Sequence, residues 1–213
     1  MFSVRKAAFT VLLFTAACAD IPAAPAPKVL ADAEFQQMFD AARASNDAFR
    51  EDRNLTSILS RTDLSLQQRI KTLNFRAIGR STTGENKNGA IADYEELLRL
   101  AAPGDPLIPR VQENLDYVKQ QKKYIEDRLE GRARSTNDDR FQDLLSLGRH
   151  DEAVAFMKQS GLKPNSIYIE KLAKLGYLCE GPGYSGASYR WGYENTGYHT
   201  VYWCDGRNAP VIR

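Results

Sequence analysis

Apolar residues recur at helical spacing from Ala31 to Leu175 and stop doing so at Gly176, and no other feature limits the fold of this chain so strongly. Phe35, Met38, Phe39 and Ala42 stand at i, i+3, i+4 and i+7, which is one face of an amphipathic helix within 31–50. Ser65 followed by Gln68 is a capping-box start, and the helix it opens carries Leu66, Ile70, Leu73, Ala77 and Ile78 inward. The Thr, Gly and Asn residues of Ser81–Gly89 mark a turn. A helix from Gly89 to Ala101 then ends at Pro103-Gly104-Asp105-Pro106. A long charged helix, Ile108 to Leu129, has Val111, Leu115 and Val118 as its seam, and its charged runs form a solvated face. Asp138–Leu147, Asp151–Gln159 and Ser166–Leu175 complete the set, with Gly148 and Gly161 as C-caps between them.

Beyond Gly176 the composition changes: both Trp and six of the ten Tyr lie there, among Gly, Ser and Thr. Such residues favour strands. The expected hairpin pairs Ser188–Tyr193 with Tyr198–Cys204 around Glu194-Asn195-Thr196-Gly197. With an even loop, Tyr189, Trp191, Tyr193, Tyr198, Tyr202 and Cys204 share one face, and Trp203, His199 and Arg190 point the other way. An odd loop swaps the faces of the second strand. The aromatic face either packs on the last helices or serves as a platform for sugar rings or a peptide.

The N-terminus predicts export. Arg5 and Lys6 precede an apolar run from Ala7 to Phe14 and the small residues Thr15, Ala16 and Ala17, the pattern of a secretory signal at residues 1–17. The run is too short to span a membrane, which takes about 20 apolar residues. Thr15-Ala16-Ala17-Cys18 resembles a bacterial lipobox, with Thr15 where that family usually has Leu. The resemblance implies acylation of Cys18, and Ala19 in place of Asp implies sorting to the outer membrane. Ordinary cleavage after Ala19 is the alternative. Residues 18–30, rich in Pro and Ala, read as an extended tether of about 3 Å per residue.

Loss of the signal removes Arg5 and Lys6 and turns 29 basic against 27 acidic residues into an even balance. A balanced chain without a Lys/Arg cluster argues against nucleic-acid binding. Either fate of Cys18 leaves one cysteine pair, Cys179 and Cys204, in an exported chain where disulfides persist. That bridge closes a loop of about 26 residues, stabilising by roughly 3–4 kcal/mol in the chain-entropy model. The fold class is therefore mainly α over 31–176, as helical hairpins in a short solenoid or bundle, followed by a disulfide-closed aromatic β-hairpin over 177–213.

Two stretches share a pattern: Gly84, Ala90-Ile91, Tyr94, Leu97-Leu98, Leu100 and Pro103, and Leu147-Gly148, Asp151-Glu152-Ala153-Val154, Met157 and Pro164. Both resemble the second half of a tetratricopeptide repeat, a helix–turn–helix unit of about 34 residues. In that family a Gly caps the first helix, a small Ala admits close packing, an aromatic or Met fills the groove and a Pro ends the unit. Ala77 stands where the family prefers Gly, and the Pro falls one place late in the first stretch and one place early in the second. The resemblance implies a protein-interaction scaffold whose terminal helices act as caps.

Catalytic signatures are missing. The mature chain has two histidines: His150, read as an exposed turn residue, and His199, read as a surface strand residue. No Gly-x-Ser-x-Gly, His-Glu-x-x-His or Walker loop occurs. Gly181–Gly186 is Gly-rich but precedes a strand, so it offers no phosphate-binding helix terminus. Asp93, Glu95 and Glu96 read as solvated carboxylates on a repeat helix. No cofactor or metal is expected. The leading expectation is a lipid-anchored, periplasm-facing adaptor that binds a segment of another envelope protein. Next comes a cell-wall or glycan-binding protein using Tyr189, Trp191, Tyr193, Tyr198, Tyr202 and Trp203, and last a secreted enzyme of unrecognised type.

Overall fold

The computed structural model describes residues 29–45, 47–83, 86–162, 165–180, 188–193 and 197–204, and for Glu180, 188–193, 197–200, Tyr202 and Trp203 the backbone alone. The signal at 1–17, Cys18 and the tether as far as residue 28 lie outside the described residues, as do Gly84, Pro164 and Gly181–Gly186.

The chain is mainly helical. Its order is α1 (Asp32–Arg43), α2 (Ala48–Leu59), α3 (Leu66–Thr82), α4 (Lys87–Leu100), α5 (Ile108–Leu129), α6 (Asn137–Ser146), α7 (His150–Ser160) and α8 (Ser166–Lys174), then β1 (Leu178–Glu180), β2 (Ser188–Tyr193) and β3 (Gly197–Trp203). Among the described residues no helix is long and apolar enough to cross a membrane. Side-chain oxygens start most helices by accepting from first-turn amides: Asp47 for α2, Ser65 for α3, Asn86 for α4, Thr136 for α6 and Asn165 for α8. Two of these, Ser65–Gln68 and Thr136–Asp139, are complete capping boxes. Gly148 and Gly161, at φ +76° and +65°, take the left-handed conformation that ends α6 and α7.

Among the described residues three apolar cores follow one another along the chain. Leu30, Phe35, Phe39, Ala42, Leu55 and Ile58 form the first, with Phe75 of α3 edge-on to Phe39 at 5.1 Å. Residues of α3, α4 and α5 form the second, around Tyr94, Leu97, Val111 and Val118. The third joins α6, α7 and α8 to the sheet through Phe141, Met157, Leu172, Leu178 and Val201. Ala77, Ala90 and Ala153 are fully buried, and their small side chains admit close helix packing.

Several expectations change. The span 31–50 holds the break between α1 and α2, because Asp47 caps a second helix. Leu30, assigned to the tether, belongs to the folded body: it is buried, and its N–H donates to the Asp63 carbonyl at 2.8 Å. Leu66, expected inward, is 52% exposed because it starts α3. The hairpin is part of a three-stranded antiparallel sheet of order β1-β3-β2, with Cys179 paired to Tyr202 in the added strand.

Candidate functional site

The two ends of the helical body meet across a cleft of about 170 Å³. Ala48, Phe49, Asp52 and Arg53 of α2 line one side, Arg80, Thr83 and Asn86 the base, and His150 and Leu175 the other side. Phe49 and Leu175 make its apolar surface, and charged and amide groups make its rim. His150 is thus half-buried at the start of α7 rather than an exposed turn residue.

Beneath the cleft lies an ion network. The Asp93 carboxylate accepts from Arg76 Nη2 and Nε at 2.6 and 2.9 Å and from Arg80 Nη1 at 3.1 Å. Arg80 Nε also donates to Asp52 at 2.5 Å, and Arg76 Nη1 to the Thr56 hydroxyl at 2.9 Å. Asp93 is buried, which corrects its reading as a solvated carboxylate; Glu95 and Glu96 keep theirs. The network fixes Arg80 and Asp52 in the cleft wall, so the rim is pre-organised.

Polar contacts close the mouth. Lys174 Nζ lies 3.8 Å from the Asp47 carboxylate, and Arg53 Nη1 donates to the Lys174 carbonyl at 3.2 Å. Burial pushes the Lys174 ammonium pKa down, but Glu170 and Asp47 together outweigh it and the net shift is upward. Asn86 packs against Gly148 from α4 to the α6–α7 turn: a Cβ on Gly148 would sit 2.8 Å from Asn86 Cγ.

Small-molecule and cofactor sites usually occupy roughly 300–1,000 Å³. At about 170 Å³ this cleft suits one or two side chains of a bound segment. Wider clefts also lie among the described residues. One, of about 380 Å³, includes Leu129, Arg140 and Phe156, with the Arg140 guanidinium 5.4 Å above the Phe156 ring. Another, of about 360 Å³, lies beside Arg69, Arg76 and Glu96. Their charged groups are largely paired with one another or with backbone, as in Arg149–Glu152 and Arg140 to the Leu129 carbonyl.

The aromatic candidates lie on paired strands whose register is odd. Tyr189 pairs with Val201, Trp191 with His199, Tyr193 with Gly197, Gly192 with Tyr198 and Ser188 with Tyr202. Directly opposed residues share a face. Tyr198 and Tyr202 are therefore out of phase with Tyr189, Trp191 and Tyr193, and the single platform of all five is corrected. Trp203 pairs with Leu178, in phase with the buried Val201. The side chains of these aromatics lie outside the described residues, but Leu178 and Val201 are fully buried in the core of α6–α8, so the sheet packs on the last helices. Cys179 and Cys204 form a disulfide, Cα–Cα 5.4 Å, and Cys204 N–H donates to the Tyr177 carbonyl at 2.9 Å. The cleft itself was missed from sequence: Phe49, Arg53 and Leu175 gather only through tertiary packing. Among the described residues no group of His, Cys, Asp and Glu could hold a metal ion.

No protein-family model, curated protein or solved structure matches this chain.

Proposed function

We propose that this chain is an exported, lipid-anchored scaffold of the bacterial envelope, built of tetratricopeptide-like hairpins, that seats a peptide segment of another envelope protein. The observation that carries the reading is the cleft between the ends of the helical body. It has an apolar surface of Phe49 and Leu175, a fixed polar rim, and room for one or two side chains. The α3–α4 and α6–α7 pairs support the repeat reading, since Ala90, Tyr94, Ala153 and Met157 are buried where that repeat needs small and groove-filling residues. The lipobox-like Thr15-Ala16-Ala17-Cys18 supports anchoring at Cys18 and a periplasm-facing location at the outer membrane.

The seated segment carries an apolar anchor residue next to a carboxylate, because exposed Arg53 stands at the mouth beside the apolar surface. Deleting residues 177–213 does not test this, since it strips Leu178 and Val201 from the third core. A photo-reactive residue at exposed Thr83 does. Crosslinking to one envelope protein should be lost in Phe49→Arg and kept in Tyr117→Ala, which lies on α5 away from the cleft lining. Equal crosslinking in both variants refutes the cleft. Retention on purified peptidoglycan that depends on Trp191 or Trp203 would move the function to the aromatic sheet. Intact mass of the exported protein decides Cys18: a diacylglyceryl adduct supports the anchor, and an N-terminus beyond Cys18 refutes it.

A further inference from the structure

Each end of the helical body is closed by apolar cores, whereas the two ends meet across the cleft through polar contacts. The first two cores, built from residues 30–118, and the third, built from Leu129 onward, are each closed by apolar side chains. Helix α5 runs between them: Val111, Leu115 and Val118 belong to the second core, and Leu129 at its end packs on the third. Across the cleft these contacts are polar and partly exposed. Lys174 and Asp47 have side chains 32% and 23% exposed, Arg53 is exposed, and Asn86 rests on the bare backbone of Gly148.

We propose that α1–α5 and α6–α8 with the sheet are two jaws joined through the C-terminal end of α5, and that the Asp47–Lys174 pair with the Arg53 bond is a clasp that sets how open the cleft stands. An ion pair at this exposure is weak, and its loss shifts an equilibrium by about two- to fivefold. A device built on such a pair is easily reversed, whereas opening either apolar core is not. The clasp is also separable from folding. Asp47 both caps α2, accepting from Phe49 and Arg50 amides at 2.9 and 3.2 Å, and faces Lys174. Asn caps a helix as well as Asp does. Asp47→Asn therefore removes the charge and leaves the cap.

The inference does not depend on what the cleft binds, and its test contains no ligand. Nitroxides are attached through non-natural residues at Arg50 on α2 and Ile167 on α8, both exposed, with Cys179–Cys204 kept oxidised. A second pair, at Gln142 and Lys158, lies within one jaw. The distance distribution of the wild type at low salt should have a major short component and a minor longer one. Asp47→Asn, Lys174→Glu or 1 M salt, where the Debye length falls to about 3 Å, should raise the longer component at least twofold. The Gln142–Lys158 distribution and the far-UV circular dichroism should not move. An unchanged α2–α8 distribution under all three perturbations would overturn the proposal, because the body would then be rigid. A change within the jaw pair would overturn it too, because the variants would then be loosening the halves themselves.

Discussion

Asp93→Ala is the sharpest test of how the helices around the cleft are held. The Asp93 side chain is 5% exposed and those of Arg76 and Arg80 are each 14% exposed. Removing the carboxylate breaks three charge-assisted hydrogen bonds at 2.6–3.1 Å. Arg80 keeps Asp52, but among the described residues Arg76 is left with the Thr56 hydroxyl in place of a carboxylate. Stranding a buried charge by removing its partner costs about 3–5 kcal/mol. A domain of ordinary stability has about 5–15 kcal/mol in total, so the variant should lose about a fifth of it or more. For a chain of this size the loss lowers Tm by roughly 6–20 °C, at about 2–4 °C per kcal/mol. Urea unfolding followed by circular dichroism gives the number, and an unchanged m-value shows that the loss is in stability rather than in compactness. Asp93→Leu with Arg76→Met should recover part of the loss, because an apolar pair strands less charge. A loss under about 1 kcal/mol for Asp93→Ala, the worth of a solvated pair, would refute the buried network.

Reduction of Cys179–Cys204 should cost about 3–4 kcal/mol by the loop-entropy argument and lower the Tm seen by calorimetry; an equal Tm with and without reductant would sink that estimate. Gly148→Ala should destabilise more than Gly104→Ala: both residues have positive φ, +76° and +87°, at a backbone cost of about 1–2 kcal/mol, but only the Cβ at 148 meets Asn86. Equal losses would refute the contact between the jaws. Burial pushes the Asp143 carboxyl pKa up against the opposing pull of Arg128, so the folded chain holds this proton to higher pH than the unfolded one. Its contribution is present below the unfolded value, about 3.9, and is lost as pH rises through the folded one. Relative to Asp143→Asn, wild-type stability should therefore fall as pH rises above about 4; a relative rise would contradict the sign.

Local chemistry made the helices legible. Ser65–Gln68 is visible as a capping box without any structure, and Pro103 to Pro106 separates α4 from α5. The break at Asp47 was written in the same chemistry, since Ser45-Asn46-Asp47 is a polar triplet before an apolar residue, but the continuing periodicity hid it. What depends on partners far along the chain was not legible. Arg76 is 17 residues from Asp93, a spacing no helix face explains. Register was hidden for another reason. Gly197 serves equally well in a turn or at a strand start, and that single residue decides whether Tyr198 and Tyr202 fall in phase with Trp191. The β1 strand is three residues long and exists through its pairing with β3, which periodicity cannot announce.

The three cores and the cleft constrain each other. Helices α3 and α5 each serve two cores, Phe75 reaching back into the first and Leu129 forward into the third, so each core is oriented by a rigid helix rather than by a loop. The cleft takes Phe49 from the first core's helix α2 and Leu175 from the end of α8 in the third. Its width then follows the angle at which α5 carries the last three helices, and in the proposed device the clasp biases that angle. A segment that touches Phe49 and Leu175 together binds the closed arrangement better than the open one. By linkage it must also strengthen the clasp by the same factor by which the clasp strengthens its binding. An exposed pair gives that factor a ceiling of about fivefold. Asp47→Asn should therefore weaken such a segment by no more than fivefold, while Phe49→Arg, which fills the seat itself, should abolish binding. A loss of a hundredfold or more in Asp47→Asn would mean that Asp47 contacts the segment directly and that the jaws play no part in its affinity.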